Sequence, residues 1–346
     1  MAYGRGVSTP LPRTPLHDLP LPLDGTLVDR AAHRRAEPDL VRTLRAEPTA
    51  RILLVHRGRL AVGRDATADG GAEGLVLLDP GALGDVDPAS DDERARWLFL
   101  GEDDVASYVA LVLPDDADAE EVDIEGVDAS DPFAVLARAH TWSGLREVVG
   151  ALATPFAGLA TEAVALAAWH ASHTRCPRCG GRTTVENGGW TRRCVAQGIE
   201  LYPRTDPAVI MTVVHGEGDD ERLLLGHAAH WPERRFSTLA GYVEPGESLE
   251  GAVRREVAEE AGVVVGEVAY RGSQPWPFPA SLMLGFAARA LTTDLRVDGV
   301  ELTDARWFTR AELAEAVREG EVLLPGRTSI ARSLVEDWFG SRLPDA

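Results

Sequence analysis

The sequence predicts an α+β protein in three parts: an N-terminal α+β domain at 1–170, a short cysteine knuckle at 171–203 and a C-terminal α/β/α sandwich at 204–346. Three observations lead to this prediction. A chain of 346 residues is too long for one ordinary hydrophobic core. Both long segments combine strand-length apolar runs with stretches of helical spacing. All three cysteines lie in the short stretch between them.

The N-terminal part begins with short apolar runs separated by acidic and glycine-rich turns. Their composition predicts strands, at 51–62, 75–78, 97–100 and 107–113. From 131 to 173 the sequence becomes rich in Ala and Leu at helical spacing, which predicts helices. This part contains no motif that indicates chemistry, and no internal repeat is detectable in the sequence.

The C-terminal part has its own set of apolar runs. Strands are predicted at 208–214, 222–226, 264–271 and 281–288, and a terminal helix near 328–339. Between the second and third strands a glycine-rich loop leads into another helix. This order of elements predicts the α/β/α sandwich.

The composition, 45% hydrophobic and 26% charged, is that of a soluble globular protein. The formal net charge of −20 argues against non-specific binding of nucleic acid, which needs a basic surface. Lysine is absent, so any cationic contact to a phosphate has to come from arginine.

The proline-rich N-terminus lacks the apolar core of a secretory signal peptide, and no apolar run reaches the roughly 18–20 residues that a membrane span needs. Three clustered cysteines suit a reducing compartment better than a disulfide scaffold. We therefore expect a cytoplasmic protein with no membrane partner.

The helix after the glycine-rich loop is predicted to be amphipathic, with Ser248 as its N-cap and Gly262 at its end. Its apolar positions recur every four residues, at Leu249, Val253, Val257 and Ala261. Glu256, Glu259 and Glu260 stand at i, i+3 and i+4, which places three carboxylates on one face.

Such carboxylates repel one another unless a divalent cation binds them. Mg²⁺ and Mn²⁺ prefer carboxylate oxygens, and either ion can acidify a water molecule for attack on a phosphate. A solvated, glutamate-rich helix face is the alternative that the three acids alone leave open.

The residues around these acids resemble the Nudix box. Gly241 is followed after five residues by Glu247, and after seven more by the run Arg-Glu-Val-Ala-Glu-Glu-Ala-Gly-Val at 255–263, which matches every fixed position of that signature. The chain is identified by this match as similar to Nudix hydrolases, and the predicted sandwich becomes a Nudix α/β/α sandwich. The resemblance implies hydrolysis of a diphosphate bond.

The resemblance also implies a role for each position of the box. Glu256, Glu259 and Glu260 would hold the metals, and Glu260 is the candidate for the catalytic base. Arg255 would position these carboxylates. Two further positions, Glu247 and Gly241, would respectively orient the site and permit a tight backbone path in the loop.

A second motif follows the box at 273–281, Ser-Gln-Pro-Trp-Pro-Phe-Pro-Ala-Ser. Three prolines restrict the backbone and present two aromatic rings, which could stack on a base or pack on the protein's own core. This motif resembles that of the NADH pyrophosphatase branch of Nudix proteins, and the similarity covers about 165–340. The N-terminal part resembles the variable first domain of that family in general layout.

This closer resemblance implies a dinucleotide site. Tyr242 would stack on a base, and Glu301 would be a further metal ligand. Other residues would line the pocket: Gln274, Ser281, Met283, Tyr202 and the backbone of Ala331. Family members are homodimers, in which Trp276 would reach the partner subunit's pocket.

The reaction implied is hydrolysis of NAD(H) to NMN(H) and AMP, and relatives also remove NAD caps from RNA 5′ ends. An arginine patch of Arg192, Arg193 and Arg204 could bind such RNA. The alternatives are a Nudix hydrolase that acts mainly on ADP-ribose or a dinucleoside polyphosphate, and a catalytically inactive nucleotide sensor. The intact carboxylates argue against the sensor.

The cysteine knuckle has the spacing of a zinc ribbon, with Cys176, Cys179 and Cys194 as thiolate ligands. The family pattern expects a fourth cysteine where this chain has Gln197, and a carboxamide is a poor zinc ligand. His173 could supply a nitrogen instead. The sequence leaves open whether zinc is bound or the knuckle is held by packing alone.

Overall fold

The computed structural model describes residues 28–63, 74–84, 86, 95–117 and 131–344. Among these the chain divides into two compact units. The N-terminal unit comprises the described residues up to Thr205 together with the segment Trp276–Ala280, and the C-terminal unit comprises the rest. The domain boundaries drawn from the sequence stay a prediction.

The N-terminal unit contains a mixed sheet with the strand order β4-β5-β1-β2-β6, in which β3 pairs with β1. Its strands are β1 Ala50–His56, β2 Arg59–Val62, β3 Leu77–Leu78, β4 Arg96–Glu102, β5 Ser107–Val112 and β6 Thr141–Gly144. Its helices are α1 Leu40–Arg45, α2 Pro132–Ala139, α3 Leu145–Val148 and α4 Thr154–Ser172.

Strand β1 is buried on both sides. Leu53 and Val55 pack in the core that includes α4, whereas Ile52 and Leu54 pack in the core that includes α2. This alternation is the period-2 pattern of a strand between two helical layers.

The cysteine knuckle is a three-stranded sheet in the same unit, with the order β7-β8-β9. Its strands are β7 Thr183–Glu186, β8 Thr191–Cys194 and β9 Glu200–Leu201. The turns that carry the cysteines precede β7 and follow β8.

The C-terminal unit has the strand order β13-β14-β10-β11-β15, in which β12 pairs with β10. Its strands are β10 Asp206–His215, β11 Arg222–Ala228, β12 Leu239–Tyr242, β13 Val265–Trp276, β14 Ser281–Ala290 and β15 Leu302–Thr309. Its helices are α5 Leu249–Ala261, α6 Arg310–Arg318 and α7 Ile330–Phe339.

The predicted α/β/α sandwich is confirmed in this unit. From β10, Val209, Met211 and Val213 pack in one core with α5. Ile210 and Val214 pack on the opposite side of the sheet, in the cores that include α7. One face of the sheet therefore supports α5 and the other supports α6 and α7.

The two sheets share a topology that the sequence did not reveal. In the first sheet the central strand β1 pairs in parallel with β5 and antiparallel with the short strand β3 and with its hairpin partner β2. In the second sheet the central strand β10 pairs in parallel with β14 and antiparallel with the short strand β12 and with its hairpin partner β11. In each, the hairpin partner then pairs antiparallel with the edge strand. The repeat is one of backbone topology, which sequence periodicity does not report.

Two strands lie where the sequence predicted other structure. Thr141–Gly144 interrupts the predicted helical stretch because it pairs with β2. Leu239–Tyr242, predicted as a glycine-rich loop, is a strand because it pairs with β10. Both are four-residue strands set by their partners, and so neither has a local signal.

None of the helices in the part of the chain that the structure describes is long and apolar enough to cross a membrane.

Candidate active site

The helix that carries the acidic cluster, α5, is built as the sequence predicts. The Ser248 hydroxyl accepts a hydrogen bond from the backbone N–H of Gly251 at 3.1 Å, which satisfies one free donor of the first turn. Gly262 ends the helix with φ 71°. Val253 and Val257 are fully buried against the sheet, so the acidic face is fixed in direction.

The three acids of this helix have different environments. Glu256 and Glu260 are buried, whereas the side chain of Glu259 is 62% exposed. One oxygen of Glu260, Oε2, is buried with no hydrogen-bond partner. Burial, followed by the negative charges of Glu256 and Glu301, raises the pKa of Glu260 to about 8.

Gly241 explains how Glu256 reaches this position. A Cβ atom at Gly241 would lie 1.9 Å from the Glu256 Cδ, so a side chain there would displace the carboxylate. Gly241 lies in β12 and does not have a positive φ. The predicted reason for this glycine, a tight backbone path in a loop, is therefore wrong, and close approach of the carboxylate is the reason.

Arg255 links four parts of the box. Its Nη2 donates to Glu247 Oε1 at 2.6 Å and its Nε to Glu247 Oε2 at 3.2 Å. Its Nη1 donates to Glu256 at 2.8 Å and to Glu259 at 3.0 Å, and Nη2 also donates to the backbone carbonyl of Tyr242 at 2.9 Å. The hydrogen bond from Arg255, with that from the Glu244 backbone N–H, lowers the pKa of Glu247. Arg255 thus positions the carboxylates and the end of β12.

A turn before β15 adds two more acids to the site. The Asp298 carboxylate accepts hydrogen bonds from the backbone N–H groups of Val300, Glu301 and Leu302. Both Glu301 and Asp298 contribute to the raised pKa of Glu260. Sequence reasoning proposed Glu301 and missed Asp298. The sequence feature that could have pointed to Asp298 is the Asp-Gly pair at 298–299, which is typical of a turn.

These residues are chemically suited to a divalent cation, although among the described residues no three of these carboxylates bring an oxygen atom within 4.8 Å of one another in this conformation. The donor set is entirely carboxylate, as Mg²⁺ and Mn²⁺ prefer, and a cation would offset the repulsion that raises the pKa of Glu260. The unpartnered Oε2 of Glu260 is an available ligand atom. Glu256, Glu259, Glu260 and Glu301 are the residues that would hold the metal.

Residues predicted to bind the bases lie on the α7 side of the sheet. Tyr242 and Met283 are both register partners of Ala208 on β10, so their side chains share a face. The hydroxyls of Tyr242 and Ser281 are 3.1 Å apart, and Met283 packs in the cluster that contains Ala331. The Tyr242 side chain is among the exposed large hydrophobic groups, which leaves its ring accessible for stacking.

Gln274 is fully buried and holds the start of α7. Its amide nitrogen donates to the carbonyl of Thr328 at 2.9 Å, and its amide oxygen accepts from the N–H of Ile330 at 2.6 Å. This geometry makes it a positioning residue for the segment that carries Ala331. Its direct contact with a substrate stays a prediction.

Trp276 and Tyr202 belong to the N-terminal unit. The rings of Trp276 and Phe278 meet edge to face with centroids 5.1 Å apart, and the Arg146 guanidinium lies 5.0 Å and 4.0 Å from their respective centroids. Tyr202 is exposed and its hydroxyl donates to Glu200. Within one chain the Pro-aromatic loop packs on its own unit, and contact of Trp276 with a partner subunit stays a prediction.

The three cysteines converge as the knuckle predicts. The sulfur atoms of Cys176, Cys179 and Cys194 all lie within 4.8 Å of one another, and those of Cys179 and Cys194 are 3.5 Å apart. Cys176 and Cys194 are buried and Cys179 is exposed. Three soft donors at this spacing could bind zinc.

The two turns of the knuckle have matching hydrogen bonds. The N–H of Cys176 and of Cys194 each donates to the carbonyl five residues on, at 2.8 and 2.9 Å, and each carbonyl accepts from the N–H four residues on at 2.8 Å. Each turn ends at a glycine with positive φ, 70° and 68°. Gln197 therefore occupies the position equivalent to Cys179, as the sequence pattern predicted.

His173 does not join the cysteine cluster. Among the described residues the group of convergent donor atoms contains the three cysteines alone. The Nδ1 atom of His173 lies 3.1 Å from the carbonyl oxygen of Trp169 and 2.9 Å from the Ser172 hydroxyl. The suggestion that His173 replaces the missing cysteine is wrong for this conformation.

The predicted arginine patch for RNA is also incorrect in part. Arg192 is 3% exposed and donates hydrogen bonds inside the N-terminal unit. Arg193 forms ion pairs with Glu186 and Glu200 at 2.8 and 2.7 Å, which offset its charge. Of the three, Arg204 is exposed.

Comparison with known proteins agrees with this geometry. Residues 204–325 match the NUDIX domain, and residues 171–202 match the NADH pyrophosphatase zinc ribbon domain. The Homo sapiens protein named NAD-capped RNA hydrolase NUDT12 is 43% identical over 194 residues, which cover 53% of this chain and 42% of that protein. The Deinococcus radiodurans protein named NAD-capped RNA hydrolase NudC is 42% identical over 194 residues, which cover 56% of this chain and 66% of that protein.

The matched region thus spans less than half the length of the mammalian relative. A solved structure of a NUDIX hydrolase from Nitrosomonas europaea is 23% identical, with a TM-score of 0.37, and the alignment covers 49% of this chain and 95% of that one.

The chain therefore contains a Nudix domain at 204–325, which carries the glutamate-bearing helix α5 on its α/β/α sandwich. An NADH pyrophosphatase zinc ribbon domain at 171–202 precedes it.

Proposed function

We propose that this chain hydrolyses the diphosphate bond of NAD(H) to give NMN(H) and AMP, and that it also removes NAD caps from RNA 5′ ends. The observation that carries the proposal is the acidic cluster of α5, in which Glu256 and Glu260 are buried. Arg255 donates hydrogen bonds to Glu256 and to the backbone carbonyl of Tyr242, whose side chain is exposed. Buried carboxylates that repel one another are unfavourable for folding, which indicates a functional role. Relatives named NAD-capped RNA hydrolase support the capped RNA as a substrate, and the NADH pyrophosphatase zinc ribbon domain supports NAD(H).

Mg²⁺ or Mn²⁺, when bound by these carboxylates, would acidify a water molecule and neutralise charge on the phosphates. The protein's own groups supply alignment. Arg255 keeps Glu256 and Glu259 in place, and the Oε2 atom of Glu260 is the group available to take the proton of the attacking water.

Substrate selection in this proposal depends on the α7 side of the sheet. The exposed ring of Tyr242 would stack on one base, which is worth about 1–3 kcal/mol in nucleic-acid systems. The Ser281 hydroxyl forms a hydrogen bond with the Tyr242 hydroxyl, and Met283 packs against the apolar cluster that contains Ala331. A single stacking ring favours a substrate that carries a base over a diphosphate that carries none.

Two further properties belong to the proposal. A homodimer is expected from the family resemblance, and light scattering on the purified chain measures it. A cytoplasmic location is supported by three free cysteines within 4.8 Å, which suit a reducing compartment.

Chromatographic identification of products tests the function. The chain is incubated with NADH, NAD⁺, ADP-ribose, a dinucleoside polyphosphate and NAD-capped RNA, each with Mg²⁺ or Mn²⁺. NMN(H) with AMP from the dinucleotide, and NMN with 5′-monophosphate RNA from the capped substrate, are the expected products. Faster turnover of ADP-ribose or the polyphosphate would assign a different Nudix substrate, and absence of turnover with either metal would indicate a nucleotide sensor.

A further inference from the structure

The cysteine knuckle departs from a closed four-ligand zinc site in one respect. Its two turns have equivalent hydrogen bonds, so the structure offers four equivalent ligand positions, of which Gln197 occupies one. Gln197 is exposed, and a carboxamide is a poor ligand for zinc. The turn geometry for a fourth ligand is thus retained without the thiolate.

No other side chain among the described residues takes that position. The group of convergent donors contains three cysteines and no histidine or carboxylate. His173, the nearest candidate in sequence, is held by the Trp169 carbonyl at 3.1 Å and packs on the Trp169 ring at a centroid distance of 5.8 Å. A metal at the three sulfurs therefore has three protein ligands.

The site is also open to solvent on one side. Cys179 is exposed, and Gln197, which occupies the equivalent position in the second turn, is exposed as well. On another side the backbone is close, since a Cβ atom at Gly181 would lie 3.2 Å from the Cys179 sulfur and 3.9 Å from the Cys194 sulfur. A small molecule can approach from the side of Cys179 and Gln197.

We propose that the knuckle binds Zn²⁺ through Cys176, Cys179 and Cys194 and leaves its fourth position to an exchangeable ligand of the low-molecular-weight thiol class. Tetrahedral zinc with three protein ligands completes its coordination with water or another small ligand. A thiol that enters displaces the water, binds as the thiolate, and gives its proton to solvent. Zinc stays divalent, and no oxidant or reductant is needed.

Cobalt substitution tests this in the full-length chain. The reduced, metal-free protein is loaded with Co²⁺, and the thiolate-to-cobalt charge-transfer band and the visible d–d bands are recorded while 2-mercaptoethanol is added. We expect tetrahedral bands that shift saturably with the thiol. The carboxylates of α5 give no thiolate charge-transfer band, so Co²⁺ bound there does not interfere.

Two variants at the exposed position 197 complete the design. Gln197→Cys should give the spectrum of four thiolates and no response to added thiol. Gln197→Ala should behave like the unmodified chain. Zinc should protect three cysteines from alkylation in the unmodified chain and four in Gln197→Cys.

Three results would overturn the proposal. Bands that do not move with thiol would mean that the protein itself supplies the fourth ligand. A changed spectrum in Gln197→Ala would identify Gln197 as that ligand. Alkylation of the cysteines that is unaffected by zinc would mean that the knuckle is held by packing and binds no metal.

Discussion

Glu260 is the residue in which function and folding oppose each other most directly. Its carboxylate is buried and one oxygen has no hydrogen-bond partner. Burial, followed by the charges of neighbouring acids, raises its pKa to about 8. A buried acid of this kind destabilises the metal-free fold, and the same features make it a ligand and a base when a cation is present.

Replacing Glu260 by Gln should therefore lower activity and raise stability. We expect turnover of NADH to fall by about 10²-fold or more, as loss of a general base does, by product chromatography. Because the folded pKa lies above the unfolded value, the acid destabilises the fold progressively as pH rises from about 4.5 to about 8. The melting temperature of the metal-free variant should exceed that of the unmodified chain, most clearly above pH 8.

Glu250→Gln is the matched control, because Glu250 is an exposed acid in the first turn of the same helix. It should leave turnover unchanged and lower the melting temperature slightly, because a glutamate in the first turn stabilises a helix by about 0.3–1 kcal/mol. Near-normal turnover in Glu260→Gln would remove Glu260 from its assigned role.

Gly241 permits a second test at the residue scale. Gly241→Ala places a methyl group 1.9 Å from the Glu256 Cδ, so the carboxylate has to move. We expect a large loss of turnover and weaker binding of the metal, because a ligand carboxylate is displaced. We also expect destabilisation of about 1–3 kcal/mol, which is typical of overpacking. Denaturant unfolding and activity titrations with Mn²⁺ measure the two effects.

Gly326→Ala is the control, since a Cβ there has no atom within 4 Å and its φ is not positive. If Gly241→Ala kept full activity, the close approach to Glu256 would have no importance for the site.

At the scale of elements, α4 and the knuckle are joined by one buried network. The Nε2 of His170 lies 2.8 Å from the carbonyl of Gly189, and its Nδ1 lies 3.0 Å from the Nη1 of Arg192. Arg192 also donates to the Thr183 hydroxyl at 2.7 Å. A protonated Nδ1 cannot accept from the guanidinium, so the network needs neutral His170. Burial is the main reason that the pKa of His170 falls to about 4.

This network predicts an acid-sensitive fold. The folded pKa of His170 is below the unfolded value of about 6.5, so the unfolded chain binds more protons between pH 6.5 and 4. The contribution of neutral His170 to the free energy of unfolding is fully present above pH 6.5 and is lost as pH falls through about 4. The total loss is up to roughly 3 kcal/mol. Unfolding free energies of the full chain between pH 4 and 7 measure it.

His170→Asn is the comparison for this element. It removes the titrating group, so its stability should fall less steeply between pH 6.5 and 4 than that of the unmodified chain. Parallel pH profiles for the two proteins would contradict the assignment.

At the scale of the whole molecule, charge limits how RNA can be bound. The chain has a net charge of −20, and within the patch proposed from sequence Arg192 is buried and Arg193 is paired. Recognition of a capped RNA would then depend on its dinucleotide end and little on its phosphate chain.

Salt dependence tests this expectation. A protein with 6–10 phosphate contacts loses roughly 10³–10⁵ in affinity between about 50 and 200 mM salt. At fixed Mg²⁺ we expect kcat/KM for NAD-capped RNA to fall by less than about tenfold over the same range, and to follow the curve for NAD⁺. A steep decline for RNA alone would reveal an extended basic surface that the charge distribution does not indicate.

The amino-acid sequence by itself determined the features that depend on local spacing. It located α5 with its cap and end, the sandwich class, the convergence of three cysteines and the acids at positions 256, 259 and 260. The helix and its acids follow from helical periodicity, the cysteine site from the spacing of the cysteines, and the sandwich from the order of predicted strands and helices.

Only the tertiary structure decided what depends on contacts between distant segments. It placed Gly241 against Glu256, added Asp298 to the acidic site, and buried Gln274 beneath the start of α7. It also produced two sheets of one topology from segments without detectable repeats. Strand pairing and burial depend on partners far away in sequence, so a local residue pattern does not predict which segments pair or which side chains are buried.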